Sequence, residues 1–158
     1  GSGALAIALA KFLPESIIYA TDVSNDALQV AKINCSYHNV DKVVNLICLN
    51  GLRGFVGEVD LVVANPPYLS KKDMIEVQPE LLFEPNIALY GGLAGWEKSV
   101  ELIESTCQII KDGGKAFFET SPECIDSITG EICKNKNVNK LESHVDYSGN
   151  NRIIELSF

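Results

Sequence analysis

Positive charge is scarce: thirteen Lys and Arg stand against twenty-one Asp and Glu, a formal charge of −8 over 158 residues. Nucleic-acid binders neutralise phosphates with a basic face, so this balance argues against DNA or RNA as a partner. Long apolar runs are also missing. None approaches the roughly 18 residues of a membrane-spanning helix, and no membrane association is expected. The five cysteines, Cys35, Cys48, Cys107, Cys124 and Cys133, contain no C-x-x-C pair and no metal-like spacing. They read as reduced, mostly buried thiols of an intracellular protein, with neither disulfide nor zinc. His38 and His144 fall in no motif and are expected at surface or turn positions.

What is present is an apolar fraction of 46%, enough for one domain with a sizeable core. Apolar runs alternate with helix-period segments, the pattern of β-α units around a mostly parallel sheet. Helices are predicted over residues 4–12, 25–37 (capped by Ser24), 96–110 and 123–133, and strands over 17–21, 43–49, 59–64, 115–119, 139–147 and 152–158. In the 96–110 helix, Trp96, Val100, Ile103, Cys107 and Ile110 face the core while Glu97, Lys98, Glu101 and Glu104 face away, and Gly113 and Gly114 are predicted to end it. Trp96 and Phe117 read as core. Residues 134–140 read as a polar surface loop, and "SGNN" as the turn of a C-terminal antiparallel hairpin.

Three stretches carry chemistry. "GSGALAIALA" has the small-residue, helix-opening character of a nucleotide-binding turn, in which backbone N–H groups meet a ligand at a helix N-terminus. Such a turn needs a strand before it, so the first strand is expected to be missing from the sequence; a Gly-Ser-Gly linker is the alternative. Asp22 ends the next strand, where a carboxylate accepts hydrogen bonds from ribose hydroxyls, or else caps the helix that follows. In "DLVVANPPYLS" the apolar residues Val59 and Leu61 to Ala64 read as a buried parallel strand, halted by Pro66 and Pro67. An amide NH2 is a poor nucleophile and must be oriented with both hydrogens accepted. The Asn65 side-chain oxygen and the Pro66 carbonyl supply two acceptors, and Tyr68 can stack on a planar group. A plain strand-to-loop turn is the bland alternative.

Together with "ATDVSNDALQVAKIN", "FEPNIALYGGLAGWE", "LIESTCQIIKDGGKAFFET" and "VDYSGNNR", these stretches resemble, in order and spacing, the HemK/PrmC family of class I S-adenosylmethionine-dependent methyltransferases. The resemblance covers essentially the whole chain. It implies a Rossmann-like sheet, mostly parallel with a C-terminal antiparallel hairpin, as a single catalytic domain over 1–158 that lacks its first strand and the family's N-terminal helical domain. It implies N5-methylation of the glutamine in the Gly-Gly-Gln motif of a peptide chain release factor, by direct in-line displacement with S-adenosyl-L-methionine as donor and S-adenosyl-L-homocysteine as product. The catalytic positions carried over are Asn65, Pro66, Pro67 and Tyr68. The cofactor positions are Gly1, Ser2, Gly3, Asp22, Val23, Asn50, Gly51 and Asn65, with Gly1 and Gly3 along the methionine part and Asp22 at the ribose. Substrate positions are Asn65, Pro66, Tyr68, Glu84 and Pro85, the last two packing near the catalytic loop. A monomer in the bacterial cytoplasm or an organelle is expected, with no metal.

The chain departs from the family at Asn50, where an acidic residue usually contacts the adenine amine, at Ser121 in place of a glycine, and at Ala94-Gly95 in place of Asp-Gly. Arg152 resembles the family's closing arginine and could pair with Asp146. The alternatives are an N6-adenine or N2-guanine nucleic-acid methyltransferase, which "EPNIALYGG" and the acidic charge disfavour, and a noncatalytic binding module. The missing strand would lie mid-sheet, so these 158 residues alone are expected to be poorly stable.

Overall fold

The computed structural model describes residues 1–76, 81 and 83–158 and divides into two compact units, Gly1–Phe55 and Val56–Phe158. In the first, helix α1 (Ala4–Phe12) buries Ala6, Ile7 and Ala10. Strand β1 (Ile18–Asp22) leads to helix α2 (Asn25–Tyr37), whose N-cap Ser24 accepts a hydrogen bond from the Ala27 amide at 3.2 Å. That cap contributes about 1 kcal/mol by satisfying an orphan donor. Strand β2 (Val44–Cys48) runs parallel to β1, with Ile18 opposite Val44 and Asp22 opposite Cys48, so α2 is the crossover that a parallel pair requires. The core here is Ala6, Ile7, Ala10, Cys35, Val40 and Val44.

In the second unit, strand β3 (Val59–Ala64) is followed by the short strand β4 (Leu69–Ser70), helix α3 (Asn86–Leu89) and strand β5 (Tyr90–Gly92). Helix α4 (Glu97–Thr106), strand β6 (Ile110–Glu119), helix α5 (Ile125–Ile132) and the strands β7 (Lys140–Val145) and β8 (Asn151–Ser157) complete it. The main sheet has the order β3-β6-β8-β7; β3 and β6 are parallel, and β8 is antiparallel to both of its neighbours. Ile103, Phe118, Ile128, Ile154 and Leu156 form its dry centre. The α/β class and the closing hairpin expected from the sequence are present, and Arg152 reaches Asp146 at 3.8 Å.

Several local expectations are corrected. Helix α4 ends at Thr106 rather than running to Ile110, and Gly113 and Gly114 lie within β6. The pairing of β3 with β6 jumps from Val59↔Ile110 to Leu61↔Lys115, so β6 bulges. Gly113 takes φ +78 there, and a Cβ on Gly114 would fall 2.8 Å from the Lys111 carbonyl oxygen. The glycines serve that bulge, not a helix end. Strand β3 is not fully buried: it is the outermost strand of its sheet, and Asp60 and Leu61 are exposed. Phe118, not Phe117, is the fully enclosed aromatic. Of the cysteines, Cys35 and Cys124 are buried, Cys107 is half-buried, and Cys48 and Cys133 are exposed; all five are free. Both histidines are exposed, as expected, and each has a partner, His38 with Lys11 at 3.1 Å and His144 with Glu155 at 2.7 Å.

Candidate functional site

In the first unit the sequence-predicted cofactor residues gather at the carboxyl ends of two adjacent parallel strands, the edge where open α/β sheets bind ligands. Asp22 ends β1, and the Leu49 amide donates to its carbonyl at 3.0 Å, so Asn50 and Gly51 emerge beside Asp22 and Val23. The Asp22 carboxylate does two things at once. Its Oδ1 accepts from the Ser24 amide at 2.8 Å and its Oδ2 meets the Gly1 amino group, so the half-buried acid forms the turn and keeps one oxygen directed at the glycine-rich segment. Gly3 takes φ +81 as the N-cap of α1, and a Cβ there would lie 3.1 Å from the Ala31 Cβ. Helix α2 therefore packs so close to the turn that a side chain there would have to push it back by a few tenths of an ångström, and the positive φ favours glycine as well. The Ser2 carbonyl accepts from the Asn34 side-chain amide at 2.9 Å, while a Cβ on Gly1 would meet nothing within 4 Å. A fixed, open, small-residue turn and an oriented carboxylate suit a nucleoside with a free ribose diol. Asn50 is exposed and offers an amide rather than a carboxylate.

In the second unit Asn65 is exposed at the end of β3, Pro66 is buried, and Pro67 and Tyr68 are half-buried. The loop is clamped from one side by backbone. Strand β4, which follows it, pairs in parallel with β5, Leu69 opposite Tyr90 and Ser70 opposite Gly92. A Cβ on Gly91 would lie 2.5 Å from the Pro67 carbonyl oxygen and 2.7 Å from the Tyr68 Cα, and one on Gly95 would lie 2.6 Å from the Tyr68 carbonyl oxygen. Both glycines are required by that approach. The Ser70 hydroxyl and amide both donate to Asp73 Oδ2, at 2.6 and 2.9 Å, which holds the Asp73 carboxyl below the usual range and pins the far end of β4. Beneath, Cys124 Sγ lies 3.9 Å from the Tyr68 carbonyl and 4.0 Å from that of Ala94, and burial pushes its thiol pKa up.

Glu84 and Pro85 are both exposed, with Pro85 opening α3. Among the described residues, the parts of this segment that reach the loop are Tyr90–Gly92 and Gly95, which sequence reasoning quoted only as part of a longer match. Glu97 was missed outright. Its helical spacing assigned it to the outward face, yet its carboxylate folds back over the preceding loop and accepts from the Ala94 amide at 2.9 Å. The visible signal was an acid following Gly-Gly-x-x-Gly at a helix start, the place for a side chain that collects free amides.

Residues 1–90 match the family model described as the methyltransferase small domain. The chain belongs to that family. It is 34% identical to a bifunctional methyltransferase of Rickettsia typhi, covering 99% of this chain and 30% of the relative. It is 32% identical to a release factor glutamine methyltransferase of Deinococcus radiodurans (84% and 47%) and 34% identical to a ribosomal protein uL3 glutamine methyltransferase of Neisseria gonorrhoeae (75% and 40%). The chain thus spans less than half the length of these three relatives. A solved methyltransferase from Pyrococcus furiosus superposes with a TM-score of 0.70 at 18% identity, covering 98% of this chain and 68% of that one. The fold is that of the class I methyltransferases.

Proposed function

We propose that the protein containing this chain transfers a methyl group from S-adenosyl-L-methionine to the side-chain nitrogen of the glutamine in a release factor's Gly-Gly-Gln motif, as HemK/PrmC enzymes do. The observation that carries the reading is the pairing of β4 with β5. The stretch that, by the resemblance, sets glutamine methyltransferases apart from their adenine-methylating counterparts is paired with Leu69–Ser70, the strand that follows directly on the Asn65–Tyr68 loop. The names of the relatives at 32% and 34% identity support a glutamine acceptor.

In this reading Gly1, Ser2, Gly3, Asp22, Val23, Asn50 and Gly51 hold the cofactor, which supplies an electrophilic methyl group when bound. Asn65 and the Pro66 carbonyl accept the two hydrogens of the substrate amide and aim its nitrogen, and Tyr68 packs on its plane. Pro66 and Pro67 have no N–H to compete for these acceptors. Orientation supplies most of the rate, so no strong base is needed. Glu84 and Pro85, both exposed, contribute to the substrate side. A monomer in the bacterial cytoplasm or an organelle accompanies this function. Among the described residues no helix is long and apolar enough to cross a membrane. Glutamine in ribosomal protein uL3 is the second reading, favoured by the Neisseria gonorrhoeae relative.

The test is methyl transfer by the full-length protein with labelled cofactor, offered a release factor, the same factor with its Gly-Gly-Gln glutamine replaced, uL3, and DNA and RNA duplexes. Label on the intact release factor alone, reduced about 100-fold or more by Asn65→Ala, supports the reading. Label on uL3 selects the second reading, label on nucleic acid overturns both, and cofactor binding without transfer to any acceptor indicates a binding module.

A further inference from the structure

Glu97 is an ionisable group in an unusual place. It begins α4, yet its Oε1 accepts from the Ala94 amide at 2.9 Å and its Oε2 is enclosed without a hydrogen-bond partner. Burial pushes its pKa up, and the amides of Ala94, Glu97, Gly95 and Leu93 together outweigh that push, so the carboxyl stays below the usual glutamate range. The loop in between is shaped to admit it: Gly92 takes φ +131, and a Cβ there would lie 2.6 Å from the Glu97 Cδ. The same loop presses on the candidate catalytic segment through Gly91 and Gly95, which touch the backbone of Pro67 and Tyr68 where a side chain would not fit.

We propose that Glu97 is a positioning residue: its enclosed carboxylate, holding the Ala94 amide and packed against Gly92, fixes the Gly91–Gly95 turn and thereby sets the backbone of Pro67 and Tyr68, on which the orientation of the Asn65 and Pro66 acceptors depends. A carboxylate suits the task because it only accepts, whereas a glutamine in its place points an NH2 donor at amide donors. The kinetic half of this inference rests on the methyl-transfer reading above. The structural half does not.

The experiment compares full-length wild type with Glu97→Gln, Gly92→Ala and the double variant, by amide exchange and by steady-state kinetics. Gly92→Ala disturbs the same contact from the other side. Expected for each single variant is exchange about tenfold faster at the amides of Tyr68, Leu69 and Ser70, with β6 and β8 amides unchanged. A kcat loss of about 10- to 100-fold should accompany it, with the KM for the cofactor within about twofold. The double variant should be no worse than the poorer single one, because both remove one contact. Glu97→Asp should recover part of the rate. Unchanged exchange at residues 68–70 in both single variants, or additive losses in the double, overturns the proposal. A general loss of protection that includes β6 and β8 also overturns it, since Glu97 would then support folding alone. A wild type that transfers no methyl group sinks the functional reading, while the exchange comparison still decides the positioning role.

Discussion

Asp22 closes a turn with a carboxylate that the proposed function also assigns to the cofactor. Its Oδ1 closes a turn onto the Ser24 amide while Oδ2 meets the Gly1 amino group. Asp22→Asn keeps the turn acceptor and removes the charge. Cofactor affinity measured by calorimetric titration is therefore expected to fall about tenfold, since a hydrogen bond to a charged group contributes about 1.5–3 kcal/mol, with little change in melting temperature. Glu155 is the other instructive acid. It lies 8% exposed in β8, with Lys115 and His144 each at 2.7 Å and Glu142 opposite it on β7. Lys115 first, then His144, hold its pKa below the usual value. Its contribution is thus present above the unfolded glutamate pKa of about 4.3 and is lost as pH falls through the lower folded value. Glu155→Gln is expected to melt lower than wild type at pH 7, and the gap should close in acid; thermal melts across pH check this.

At the scale of elements, α5 buries Ile125, Ile128 and Ile132 in the core of the second unit. Ile128→Ala opens a cavity at a fully enclosed position and should cost about 2–5 kcal/mol in denaturant unfolding. This helix was legible because three isoleucines at helical spacing leave little choice, and α2 was legible to the residue because Ser24 caps it. The end of α4 was not. Gly113 and Gly114 read locally as a helix stop, but their role depends on Asp60 and Lys111, partners that local sequence does not reveal. The candidate site divides the same way. Asn65 to Tyr68 stood out because two prolines after an apolar run can hardly be anything but a strand end. The clamp by Gly91 and Gly95 and the inward turn of Glu97 arise from approaches across more than twenty residues and from a loop that bends back on its own helix. Periodicity carries no information about either.

For the molecule as a whole, the two units differ in how much core each holds. The first rests on small side chains around a two-stranded sheet, the second on Ile103, Phe118, Ile128, Ile154 and Leu156 around a four-stranded one. Amide exchange should therefore be slowest in β6 and β8 and faster in β1 and β2, because local opening tracks the apolar area that must be exposed. The distribution of thiols has a practical consequence. Cys48 in the first unit and Cys133 in the second are open to solvent, while Cys35 and Cys124 are sealed and Cys107 is half-covered with its pKa raised by burial. Of these five, two should react quickly with a maleimide, one in each unit. These 158 residues thus come with their own pair of attachment points for a donor and an acceptor dye, and energy transfer between them would report any change in separation on cofactor binding.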